Sequence, residues 1–120
     1  MKQHITVEQL FEVDDYKLAK MMDEKFQNAV RDIHCNPYMT DKEKENLLEI
    51  LSEQVTIGKM IEILEPNISI YPVLTEEEGK TRVIWWEVRY YVKNDLKEFR
   101  KVELYDALWE AVKEVLKEVE

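Results

Sequence analysis

The chain reads as an α+β protein, and three features of its 120 residues point that way. One is Val102–Val119, VELYDALWEAVKEVLKEV, where Leu104, Leu108, Ala111, Val112, Val115 and Val119 recur at helical spacing. A second is a change of period: from Ile68 onward the apolar residues alternate instead of recurring every three or four. The third is a set of helix-start signals, Thr6, Thr40 and Thr56, each ahead of an apolar stripe. Together they predict about four main helices and a small antiparallel sheet in one domain spanning residues 1–120. The sheet consists of a hairpin over 68–74 and 82–92, with a third strand over 96–101, and it packs on the C-terminal helix, since a lone hairpin is marginal in water.

Taken in order, Thr6-Val-Glu-Gln9 matches a capping box and starts a short helix holding Leu10 and Phe11. Asp14 or Asp15 caps a longer helix running to about Cys35, with Ala19, Met22, Phe26, Ala29, Val30 and Ile33 as its stripe. Asn36-Pro37 ends it, because proline disfavours helical geometry in the residue before it. Thr40-Asp-Lys-Glu43 starts the next helix, to about Gln54, which buries Leu47, Leu48 and Leu51. Thr56 starts another, with Ile57, Met60, Ile61 and Leu64 inward and Pro66-Asn67 as its stop.

Ile68–Leu74 is short and β-rich, and Pro72 places it at a sheet edge. Glu76–Lys80 is a charged turn in which Gly79 supplies the positive φ. Arg82–Val92 alternates: Trp86, Val88, Tyr90 and Val92 share one face, and Trp85, Glu87, Arg89 and Tyr91 the other. Lys93-Asn94-Asp95 is a further turn.

Composition narrows the function classes. Net charge is −9, from 17 basic and 26 acidic residues spread evenly along the chain. No basic stripe is present to track a phosphate backbone, so direct nucleic-acid binding is not expected. No apolar run approaches a membrane span and no signal core opens the chain, which together with the single Cys35 suits the cytoplasm. His4, His34 and Cys35 lack the paired spacing of a structural zinc site, so neither metal nor cofactor is expected. His34 and Cys35 are neighbours on a helix and diverge by about 100°. Asp14-Asp15 reads as a cap before it reads as a carboxylate pair. Phosphate-loop, nucleophile-elbow and zincin motifs are absent, so enzyme activity is not expected.

Two constellations remain. The outward aromatics Trp85 and Tyr91 are either covered by a helix or form a protein-binding patch. The acidic rows Glu45, Glu49, Glu53 and Asp106, Glu110, Glu114, Glu118 are either solvated faces or imitations of a phosphate backbone, with carboxylates about 5–6 Å apart.

Three blocks carry a resemblance: MKQHITVEQ at the start, TIGKMIEIL over Thr56–Leu64 and ALWEAVKEVLK over Ala107–Lys117. Together they resemble a group of small proteins encoded by phages and prophages of Gram-positive bacteria. The resemblance implies a cytoplasmic accessory protein that binds and disables a host protein, such as a nucleic-acid-guided nuclease. The expected activity is thus an anti-CRISPR-like or other anti-defence inhibition, by an acidic DNA mimic. Two alternatives stand beside it. One is a self-associating scaffold protein, a homodimer rather than a monomer, with Trp85, Tyr91 and Trp109 at its seam. The other is a nucleotide-signal sponge, whose pocket only Arg82, Arg89, Arg100 and Lys101 could build.

Overall fold

The computed structural model describes residues 3–92 and 94–119. The chain runs α1 (Val7–Leu10), α2 (Asp15–Ala19), α3 (Glu24–Cys35), α4 (Asp41–Gln54), α5 (Ile57–Leu64), β1 (Ile68–Glu77), β2 (Lys80–Val92), β3 (Asp95–Lys101) and α6 (Leu104–Lys117). The α+β class and the sheet on the C-terminal helix are as the sequence predicts. The helix number differs, with six among the described residues instead of about four.

One of the two extra helices is the short α1 expected after Thr6; the other arises at the expected long helix of residues 14–35, which is broken. Asp14 caps α2 by accepting from the Tyr16 N–H, and Asp23 caps α3 by accepting from the Phe26 N–H. Between them the backbone bonds shorten to three-residue spacing, Met21 to Leu18 and Met22 to Ala19. Leu18, Ala19, Met22, Phe26 and Val30 are all buried, so the apolar stripe crosses the break without a change of phase. An acidic side chain that can accept an N–H two or three residues on offers the backbone an alternative to continuing the helix.

The other starts follow their caps. Thr6 and Gln9 form a full capping box, and Thr40 and Thr56 each accept the backbone N–H three residues on. At Thr40 the reciprocal half is absent, because its hydroxyl donates to the Glu43 carboxylate instead. In α4, Leu51 is buried, but Leu47 is only half-buried and Ser52 takes the inward place, its hydroxyl donating to the Glu49 carbonyl. The N-terminus is tied down by backbone bonds from Ile5 to Val55 and from Ile57 to Gln3.

The sheet is antiparallel with order β1-β2-β3. The third strand is real, and both hairpin strands run further toward the turn than the predicted 68–74 and 82–92. Glu77 pairs with Lys80, and the two turn residues Glu78 and Gly79 have φ of 53° and 73°. Two positive φ values in a two-residue loop match the right-handed twist of the strands. Pro72 lies on the edge strand β1, opposite Trp86. Of the expected turn at 93–95, Lys93 lies outside the described residues.

Trp86, Val88 and Tyr90 face the core together with Ile68, Ile70 and Phe99. α6 packs on this face and on α5, so it is the central element of the fold. It is buried well beyond a single stripe, since Tyr105, Ala107, Trp109 and Leu116 join the predicted core residues. The predicted start at Val102 is corrected to Leu104; Val102 is 74% exposed.

Length then shapes the molecule. β2 has 13 residues and α6 has 14. That makes the strand about 43 Å long and the helix about 21 Å. Roughly half of the hairpin therefore extends beyond the length of α6, and the molecule is elongated, 58 × 36 × 19 Å. Leu74, Val83 and Ile84 are exposed on this overhang, beside the register shift at Val73/Leu74.

Candidate functional site

Two surfaces bring predicted residues together. The first is the sheet face turned away from α6. Strand alternation places Trp85, Glu87, Arg89 and Tyr91 on it, with Tyr71 from β1 and Glu98 and Arg100 from β3 alongside. The two predicted aromatics differ: Tyr91 is 44% exposed, as is its neighbour Tyr71 at 45%, whereas Trp85 is half-buried with its indole N–H enclosed.

Glu87 is the centre of this face and is only 5% exposed. Arg100 donates through Nε to one carboxylate oxygen at 3.1 Å, and Arg89 through an Nη to the other at 3.2 Å. The Arg89 guanidinium lies over the Tyr71 ring at 4.9 Å, and that of Arg100 over Trp85 at 6.0 Å. Hydrogen bonding from Arg100 outweighs desolvation and, with the Arg89 charge, holds the Glu87 carboxyl below its ordinary range. The result is a closed lattice in which two arginines share one carboxylate. Arg82 lies apart, paired with Glu77 near the turn, so the four cations expected of a nucleotide pocket do not converge.

The second surface is the outer face of α4. Glu45, Glu49 and Glu53 are all exposed, one turn apart along one row. None of the ion pairs among the described residues involves them.

The α6 row is arranged differently. Asp106 accepts from Gln9 Nε2 at 2.7 Å, Glu110 pairs with Lys113 at 2.9 Å, and Glu114 pairs with Lys117 at 2.8 Å and Lys97 at 3.2 Å. The Lys117 hydrogen bond is the main reason why the Glu114 carboxyl falls below its ordinary range; burial opposes it and Lys97 adds to it. Glu118, just past the helix, is exposed. The row thus braces α6 to its neighbours, and only its end is open. Sequence reading missed Gln9 and Lys97 as partners, and their separation along the chain left no local signal; Lys113 and Lys117 lie three residues from Glu110 and Glu114, at ordinary helical spacing.

Trp109 is corrected outright. Expected at a self-association seam, it is 0% exposed, and its indole N–H donates to Glu12 Oε1 at 3.1 Å. The other Glu12 oxygen accepts from Lys113 at 3.2 Å.

One further cluster was not expected. Asp15 and His34 meet across the α2–α3 break, with His34 Nε2 at 2.8 and 3.0 Å from the two carboxylate oxygens. The Tyr16 ring stacks on the imidazole at 4.7 Å, with Cys35 beside its hydroxyl. Burial, then the Cys35 and Asp15 neighbours, raise the Tyr16 hydroxyl above its ordinary range. The cluster fastens α2 to α3. Among the described residues no group of three or more His, Cys, Asp or Glu side chains is placed to hold a metal ion.

The surface depressions are shallow. One of about 210 Å³ is lined by Glu12, Asp14, Lys17, Lys113 and Lys117 among others, where Glu12 and Lys113 already satisfy one another. Among the described residues no helix is long and apolar enough to cross a membrane.

No family model matches this chain, and neither does any curated protein or solved structure. The resemblance to phage accessory proteins therefore rests on the three sequence blocks.

Proposed function

We propose that this protein acts by binding another protein, as an anti-defence inhibitor that occludes the nucleic-acid groove of a host enzyme. The observation that carries the reading is the α4 row. Glu45, Glu49 and Glu53 are exposed and free of cation partners among the described residues, on a chain of net charge −9. A rigid helix holding carboxylates about 5–6 Å apart is suited to a groove lined with Lys and Arg. The α6 row contributes little in this reading beyond Glu118, because its carboxylates are spent on internal partners.

The test is target cleavage by a panel of nucleic-acid-guided bacterial nucleases, with and without the protein. Inhibition is expected for at least one, and combined Glu45→Gln, Glu49→Gln and Glu53→Gln weakens it about tenfold or more. It also weakens as salt rises. Inhibition that ignores both salt and the triple variant overturns the mimic mechanism; no inhibition across the panel overturns the role.

A second reading is favoured by one observation, the exposed Tyr71 and Tyr91 on the uncovered sheet face. It is self-association through that face, without Trp109. Sedimentation equilibrium at micromolar concentration separates the two: a dimer that Tyr91→Glu dissolves supports it, and a strict monomer excludes it.

A further inference from the structure

The outer edge of β3 has a character unlike the rest of the surface. β3 ends the sheet, and no backbone hydrogen bond beyond the β2–β3 ladder involves its residues among those described. β1, the opposite edge, is blunted by Pro72, which has no N–H to offer; β3 contains no proline. At the end of β3, Trp85, Arg100, Lys101 and Val102 line a mostly apolar depression of about 440 Å³.

The chemistry of that depression is specific. Val102 and the Trp85 ring supply apolar surface. Arg100 bonds Glu87 through Nε only, and its side chain is largely exposed. Lys101 is exposed and pairs with no carboxylate among the described residues. The Trp85 indole N–H is buried under this surface without an acceptor among them. A cationic, donor-rich rim around an apolar floor thus stands at a free strand edge of an acidic protein.

We propose that this edge and depression take an extended acidic peptide segment of a partner protein as an added strand. Backbone groups of the peptide pair with β3, an apolar side chain rests on Trp85 and Val102, and its carboxylates meet Arg100 and Lys101. A second copy of this chain fits less well. With the seven residues of β3 fully overlapped about a two-fold axis, Glu98 faces Glu98. This site is distinct from the α4 row, and its partner carries the opposite charge.

The probe is a blocked peptide of about eight residues alternating glutamate and valine, with one central phenylalanine. Binding is followed by amide chemical shifts in the full chain. Shifts centred on residues 96–102 are expected, with Kd below about 1 mM. Lys101→Glu or Val102→Asp weakens binding about tenfold; neither residue has an ion pair among those described, and folding is checked by the unperturbed amides of α6. The same peptide with lysine for glutamate, or N-methylated at alternate residues, does not bind. Absence of binding, equal binding of the lysine peptide, or indifference to both variants overturns the proposal. So does concentration-dependent shifting of the same amides without peptide, which marks the edge as a self-interface. A preference for adenosine monophosphate over the peptide, with N-methylation having no effect, overturns the added strand in favour of a nucleotide.

Discussion

Glu12 holds the N-terminal segment onto α6 with one side chain, accepting from Trp109 Nε1 and from Lys113 Nζ. Glu12→Ala leaves the indole N–H of a fully buried tryptophan without its acceptor. A loss of about 1–3 kcal/mol is expected, read as a lower urea midpoint with an unchanged slope. Glu87 is a second such residue. Its carboxyl and that of Glu114 lie below their ordinary values in the folded chain, held there first by Arg100 and Lys117 respectively. Their contributions are therefore complete above about pH 4.3 and are lost as pH falls through the lower folded values. Glu87→Gln should flatten the acid limb of a stability profile recorded from about pH 7 to about pH 2.5. At the alkaline end the sign reverses for Lys113. Burial pulls its ammonium down, but hydrogen bonds to Glu110 and Glu12 raise it overall, so its contribution fades only as pH climbs through the raised value.

Two elements depend on single positions. α3 exists as a separate helix because Asp23 accepts the Phe26 N–H. Asp23→Ala should cost about 1 kcal/mol in unfolding free energy and loosen the amides of residues 24–27 in hydrogen exchange. The hairpin turn depends on Gly79, which has φ of 73° and open space, with no atom within 4 Å, where a methyl group would sit. Gly79→Ala therefore meets backbone strain without a clash, and should lower stability by about 1 kcal/mol with no change in the amides of α6. These elements also show what local pattern carries. The stripe Ala19, Met22, Phe26, Ala29, Val30 and Ile33 is legible at helical spacing whether or not the helix breaks, because phase records the buried side and not continuity; Ala29 and Ile33 are only partly buried. The break was written in Asp23 itself, a cap residue inside an apolar stripe. The alternation at Trp85–Val92 likewise sorted the faces correctly, since a strand has only two.

Over the whole molecule, the short α6 under the longer β2 sets a gradient of order. Within the hairpin and α6, hydrogen exchange should be slowest in α6 and in residues 86–91 and fastest from 74 to 83, where the hairpin extends beyond α6. Uniform protection along the hairpin would show that something covers the overhang. The sequence by itself determined the helix starts, the two-faced strand, the Gly79 turn and the acidic balance, because each follows from residues within a few positions of one another. Only the tertiary structure decided that Trp109 is core, that Asp106 and Glu114 of α6 take Gln9 and Lys97 as partners while the α4 carboxylates stay free, and that Arg100 closes on Glu87. Those outcomes hang on partners that meet only after the chain has folded back on itself, and spacing along a chain carries no record of such meetings.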